Sequence, residues 1–247
     1  MVFAFLSPML LPAGCQTALL CRRYKRFLAD VRLADGSLLT VHCPNSGSMR
    51  GCSEPGSPVV ISPAASPGRK YAWTLEMVQA RGIWVGVHTG RTNRLVREGL
   101  ESGVLDEFGQ VDRITQEVVV SSKSRLDFCL EGAQGRTYLE VKHCSLAEQG
   151  VALFPDAVTT RGTRHLLELA RLAEAGYNAA VLFCVQRSDA ERFRPAAHID
   201  PGYAETATQA AGSGVRFLAR QVEVTPQSLT FSRPLPVELP EQPVMHP

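Results

Sequence analysis

Arg125-Leu126-Asp127-Phe128-Cys129-Leu130, a break at Gly132-Ala133-Gln134-Gly135, and then Tyr138-Leu139-Glu140-Val141-Lys142 decide how this chain reads. Both runs alternate with period two, as paired strands do. Leu126, Phe128, Leu130, Leu139 and Val141 form an apolar face, and Arg125, Asp127, Tyr138, Glu140 and Lys142 point the other way. With the glycine-bracketed segment as a four-residue loop, Glu131 opposes Arg136 and, four steps along, Asp127 opposes Glu140. Directly opposed residues hold their Cβ atoms about 4.5–5.5 Å apart. Two carboxylates that close repel each other unless one is protonated or a cation bridges them, so the register asks for a divalent metal.

Magnesium, or manganese in its place, takes oxygen ligands and keeps several waters, so Asp127, Glu140 and the Val141 carbonyl make a sufficient protein share of a site. Lys142 lies two residues beyond Glu140, where an ammonium can orient an attacking water or balance charge on a phosphate. That is the minimum kit for metal-dependent phosphodiester cleavage. The competing account is an amphipathic hairpin whose exposed face carries Arg125, Asp127, Glu140 and Lys142 as ion pairs, each worth little.

The 247 residues, 45% of them hydrophobic, suffice for one large domain or two small ones with a real core. A net charge of +2 does not by itself mark a nucleic-acid binder. The positive residues are bunched, however, at Arg22-Arg23-Tyr24-Lys25-Arg26 and Arg69-Lys70. An aromatic among basic residues suits base stacking beside phosphate contacts, and a solvated basic strand edge explains the same cluster. Seven cysteines form no CxxC or CxxxC pair, which argues against a zinc site or disulfide framework and for a reducing cytoplasm. Val2 to Leu11 is apolar but has no basic residue before it, so it reads as part of the fold and not as a signal peptide. No run reaches the roughly 20 apolar residues of a membrane span.

Residues 1–80 read as all-β. Phe27 to Leu33 and Leu38 to Cys43 flank Asp35-Gly36, and turn-rich Pro44 to Ser48 and Glu54 to Pro58 precede Val59-Val60-Ile61. Short strands with frequent turns favour a small barrel. Residues 81–233 read as mixed α/β: a strand at Ile83 to Val87, a helix capped by Asn93 and carrying Glu98, a strand at Glu117 to Ser121, and the carboxylate hairpin. A helix from Thr163 to Ala175 follows, then Ala179 to Val185, apolar on both faces like a central parallel strand. Helical residues at Tyr203 to Ala211 and a strand at Arg216 to Val224 complete it. A Pro-rich tail, 234–247, is expected to be extended or frayed.

Gln186 and Arg187 end the central parallel strand, where ligands of open α/β sheets gather. Arg161, Arg164 and His165 open the Thr163 helix, whose free N–H groups favour phosphate, and a buried histidine is the other account of His165. Asp156 follows Glu140 in the chain and is expected to brace the loop before that helix.

Glu98 on a helix, Asp127 and Glu140-Val141-Lys142 on neighbouring strands and Gln186 on a later one resemble the PD-(D/E)XK nuclease arrangement. More narrowly, nearly the whole chain resembles the bacterial and archaeal sugar fermentation stimulation protein A family. The matching stretches are Arg23 to Asp30, Cys43-Pro44-Asn45-Ser46-Gly47-Ser48-Met49, Phe154 to Thr159 with Arg161-Gly162, His165-Leu166, Val185-Gln186-Arg187 and Ile199-Asp200-Pro201. Ser46, His88, Thr92 and His143-Cys144 depart from the usual pattern and touch none of the proposed ligands. The resemblance implies an OB-fold followed by a nuclease-like domain, α+β overall, and DNA binding linked to expression of sugar-utilisation genes.

The expectation is therefore an OB-like barrel that binds nucleic acid, most readily DNA, with weak sequence preference, through Arg22, Arg23, Tyr24, Lys25, Arg26, Arg69 and Lys70. It is joined to a Mg- or Mn-dependent site. There Asp127, Glu140 and Val141 hold the metal, Glu98 serves as second-metal ligand or base, Lys142 positions the nucleophile and Gln186 supports it. Arg161, Arg164, His165 and Arg187 extend the nucleic-acid surface. The rival is a regulator that binds DNA with an idle nuclease fold.

Overall fold

Alternating segments cut by glycine turns fold the first third of the chain into a closed ring of strands. In the computed structural model, residues 8–64, 68–122 and 124–240 are described. A two-residue strand, β1 (Met9–Leu10), is followed by β2 (Gln16–Tyr24), β3 (Leu28–Arg32), β4 (Leu38–His42), β5 (Pro58–Pro63) and β6 (Trp73–Ala80). β2 pairs with both β3 and β5, β3 with β4, and β5 with β6. A parallel contact of His42 with Thr74 joins β4 to β6 and closes a five-stranded barrel. Ala29, Val31, Val41, Val59, Ile61 and Leu75 fill it, each the inward member of an alternating pair. At Asp35-Gly36 the hairpin turns with Gly36 at φ 84°, a conformation that glycine adopts without steric cost.

β7 (Ile83–Gly86) pairs with β6, so the barrel runs to Gly86 and not to residue 80. The expected boundary fell early because Arg81-Gly82 is the turn of a hairpin, not a linker: Arg81 and Gly82 both have positive φ.

The second unit comprises α1 (Thr92–Glu101), β8 (Val111–Ser121), β9 (Ser124–Gly132), β10 (Gly135–Cys144), β11 (Leu146–Glu148), β12 (Val151–Phe154), α2 (Thr160–Glu174), β13 (Asn178–Val185), β14 (Arg192–Pro195), α3 (Pro201–Gly212), β15 (Arg216–Val224) and β16 (Ser228–Leu235). Its main sheet has the order β1-β16-β15-β13-β10-β9-β8, with β13 parallel to β10 and β15. The expected central strand is thus central. Ala180, Leu182 and Cys184 face the core beneath α1, while Val181, Phe183 and Val185 face the core beneath α2 and α3. A smaller sheet, β11-β12-β14, lies beside it.

The tail is ordered further than expected. The Pro236 carbonyl accepts the Phe193 N–H, Val237 bridges Phe193, and Glu238 pairs with Arg194. Residues 241–247, and the start of the apolar N-terminal run, lie outside the described residues. Among the described residues no helix is long and apolar enough to cross a membrane, and all seven cysteines are free thiols.

The two units are clasped by buried polar contacts. Arg91, just ahead of α1, reaches back to Glu76 of β6 with Nε to Oε2 at 2.5 Å, and the Ser62 hydroxyl donates to Glu76 Oε1 at 2.5 Å. From the second unit, Asp156 Oδ2 accepts the Met49 N–H at 2.9 Å and the Asp156 carbonyl accepts the Ser48 hydroxyl at 2.7 Å. Asp156 therefore braces the barrel's β4–β5 connection; the cap of α2 is Thr159, whose hydroxyl accepts the Gly162 N–H at 3.1 Å.

Candidate functional site

The hairpin register is the one that alternation dictates. Gly132 pairs with Gly135, making a two-residue turn, Arg136 pairs with Glu131, and the ladder ends at Leu139 with Phe128. Beyond that point β9 stays with β8 and parts from β10. The expected single apolar face breaks there too: Phe128, Leu130, Leu139 and Val141 enter the core under α1, but Leu126 enters the core under α2. Asp127 occupies the fork. Its Oδ2 accepts the Val141 backbone N–H at 2.8 Å and its Oδ1 accepts the Asn93 amide of α1 at 2.8 Å.

Glu140 and Lys142 project from β10 toward α2 and are both buried. Lys142 Nζ donates to Glu140 Oε1 at 2.6 Å, and His165 Nδ1 of α2 bonds the same oxygen. Arg161 Nε donates to His165 Nε2 at 3.4 Å, so His165 carries its proton on Nδ1 and donates it to Glu140. Glu140 Oε2 is buried with no partner among the described residues. The hydroxyl of Tyr203, on α3, is likewise buried and unpartnered. Burial first, and then the Glu140 charge, push its ionisation well up, which places it in the same neighbourhood.

The two carboxyls feel each other. Burial, then the charge of Glu140, pushes Asp127 up to about 6. For Glu140, burial acts in the same direction but is outweighed by the His165 hydrogen bond and the Lys142 charge, so it is held below the usual carboxylate range. A buried, unpartnered carboxylate oxygen near a second carboxyl whose ionisation is suppressed is a donor set suited to a hard cation. Among the described residues no three acidic, histidine or cysteine side chains gather closely enough to hold a metal by themselves. A cation here would draw on Asp127, Glu140, a backbone carbonyl such as that of Val141, and water.

Glu98 is not brought to this place. It is paired with Arg94 at 2.7 Å on a half-exposed flank of α1, beside Phe231 and Thr230. The residue of α1 that meets Asp127 is Asn93, which lies inside the helix and not at its cap. Gln186 is buried at the end of β13 against Gly86, where an added Cβ would fall 2.5 Å from its Oε1. Its side chain thus packs against β7, on the far side of the sheet from Lys142. Arg187 is buried too, with Nε to Asp189 Oδ1 at 2.6 Å and Nη1 to the Ser145 carbonyl at 2.8 Å. Its guanidinium is spent inside the protein. His165 lies in the core against Glu140, while Arg161 and Arg164 are exposed at the start of α2.

In the barrel, β2 ends at Tyr24, and Lys25 and Arg26 form the β2–β3 turn with φ 49° and 62°. Arg23 donates to the carbonyls of Asn45 and Gly47 at 2.8 Å each and of Arg26 at 3.0 Å, so it shapes a loop. Tyr24 donates its hydroxyl to Asp30, and the Arg22 guanidinium lies 4.8 Å over its ring while also pairing with Asp30. That ring is covered on one face. Arg69 and Lys70 are exposed in the β5–β6 connection. In OB-type barrels the loops at these two positions are the ones that hold oligonucleotides. Between the units lies a groove of about 530 Å³ lined by Arg23, Arg26, Ser46, His143, Asp156 and Thr159 among others.

The family model described as "Sugar fermentation stimulation protein RE domain" matches residues 90–228, and that described as "SfsA N-terminal OB domain" matches residues 21–87. The chain belongs to the sugar fermentation stimulation protein family. A family member from Desulfotalea psychrophila is 50% identical over 216 residues, covering 87% of this chain and 92% of that one. One from Pelobacter propionicus is 51% identical over 220 residues, covering 89% and 96%. Both are named sugar fermentation stimulation protein homolog. The solved structure of Pyrococcus furiosus SfsA in complex with Ca2+ superposes with a TM-score of 0.86 at 26% identity, covering 94% of this chain and 99% of that one. The two matched segments meet between Val87 and Gly90, where β7 ends and the turn into α1 begins. The family read from scattered sequence stretches, and the barrel joined to a mixed α+β unit, are therefore findings of the comparison as well.

Proposed function

We propose that this SfsA family member is a divalent-metal-dependent phosphodiesterase that acts on nucleic acid, most readily DNA, in the cytoplasm. The observation that carries the reading is Glu140: one oxygen is held by Lys142 and His165, and the other is buried, unpartnered and electrostatically coupled to Asp127. A buried polar atom without a partner is costly, and a cation with its water shell removes that cost. The Pyrococcus furiosus relative was solved in complex with Ca2+, which supports a divalent cation in the family, and Mg or Mn is the catalytic counterpart we assign.

The cation would polarise the scissile phosphate and lower the pKa of a bound water. Asp127 and Glu140 hold the site, and the Asn93 amide fixes Asp127. Lys142, already against Glu140, offers an ammonium that orients the attacking water or offsets charge on the phosphate. Lys25, Arg26, Arg69 and Lys70 on the two barrel loops, with Arg161 and Arg164 at the start of α2, track the backbone. Such contacts position a strand without reading its sequence.

The test is purified protein with labelled single- and double-stranded DNA and RNA, under Mg, Mn and chelator in parallel. Cleavage that chelator abolishes and Glu140→Gln loses is expected. Binding without cleavage under every metal, equal in wild type and variant, would favour the regulator with an idle fold.

A further inference from the structure

We infer that His165 is a positioning residue for Glu140, its tautomer set by Arg161, and that this pair orients the carboxylate so that Oε2 is presented to the cation. The inference rests on the proposed metal site. His165 is buried, comes from α2 and not from the hairpin, and bonds Glu140 Oε1 through Nδ1. Arg161, one helical turn earlier, can only donate, so its contact with Nε2 excludes the tautomer in which Nδ1 would be the acceptor. The opposite tautomer would set two lone pairs against each other at Glu140.

Lys142 alone does not fix the carboxylate, because an ammonium on a flexible stem binds as a point charge at many angles. A ring held in the core supplies direction. Groups that hydrogen-bond a metal's carboxylate ligand are commonly worth tenfold to a hundredfold in metal affinity. Arg161 is exposed at the start of α2, and no contact to its terminal guanidinium nitrogens is seen among the described residues. A phosphate bound there would touch the pair that orients Glu140, linking strand engagement to the metal site.

The experiment is Mn2+ titration by calorimetry on the full chain, with His165→Ala and His165→Asn beside wild type, each first checked for a cooperative thermal transition. Asparagine keeps a donor near the Nδ1 position. His165→Ala should weaken Mn2+ about tenfold to a hundredfold, and His165→Asn should restore most of it. In wild type, imidazole nitrogen NMR should show the proton on Nδ1, and Arg161→Ala should mix the tautomers. Equal Mn2+ affinity in His165→Ala and wild type would overturn the inference while leaving the metal site standing, as would a proton on Nε2. A folded His165→Asn as weak as His165→Ala would also overturn it, since packing and not hydrogen bonding would then be responsible. A wild type with no Mn2+ affinity would instead remove the metal site itself.

Discussion

Asp127 accepts the backbone N–H of Val141 at 2.8 Å at the point where β9 ceases to pair with β10. A side chain thus takes up a donor just past the last ladder pair, and the two strands open into a fork with a carboxyl in its throat. The same bond ties the geometry of Asp127 to the residue between Glu140 and Lys142, so the members of the site move together.

That fork predicts a pH effect in the metal-free protein. Asp127 is raised from 3.8 to about 6, so its folded form binds a proton more tightly than the unfolded chain does. Its contribution to stability is complete below about 4 and is lost as pH rises through 6. Glu140 has the opposite sign, but its contribution is already complete above its ordinary value of 4.5. Chemical denaturation at pH 4 to 8 should show wild type losing stability relative to Asp127→Asn as pH rises, by about 3 kcal/mol at most.

Glu140→Gln should fold, because the amide oxygen can still accept from Lys142 and His165. It should lose metal-dependent cleavage by more than about a hundredfold. Nucleic-acid affinity, measured by fluorescence anisotropy, should stay within a few-fold of wild type, since no phosphate contact is assigned to this residue.

The clasp between the units makes a prediction about coupling. A Cβ at position 47 would fall 2.7 Å from both oxygens of Asp156. Gly47→Ala should therefore destabilise, and Asp156→Ala should cost about 1–3 kcal/mol by leaving the Met49 N–H without its acceptor. The double variant should lose less than the sum, because removing Asp156 also removes the clash. Additive losses in denaturant melts would count against this contact.

On the barrel, Lys25→Ala with Arg26→Ala should weaken binding to all sequences alike and flatten the salt dependence by about one unit of slope per lost phosphate contact. Arg23→Ala should act differently, lowering thermal stability first, because its guanidinium holds the carbonyls of Asn45 and Gly47.

The parts of the molecule written in local periodicity were legible. The hairpin register follows from alternation and two glycines, and β13 announced itself by being apolar on both faces. Phase around a helix was harder to use: Asn93 and Glu98 are five residues apart, about 140° around the axis, and only contacts with β9 decide which one meets Asp127. The opposite faces taken by Leu126 and Phe128 come from strand divergence, which no spacing encodes. Arg187, Arg23 and His165 carry the residue types of a phosphate site, yet each is spent on an internal partner set by tertiary structure. Asn45 to Met49 and Asp156, quoted as separate family stretches, turned out to be two halves of one contact.

The most direct measurement is the anomalous difference density of crystals grown with Mn2+. The account predicts a single strong peak in the fork, bounded by Asp127, Glu140 Oε2 and the Val141 carbonyl, and absent in Glu140→Gln. Crystals saturated with Mn2+ that show no peak there, with Glu140 Oε2 bonded to an ordered water or to Tyr203 alone, would contradict it.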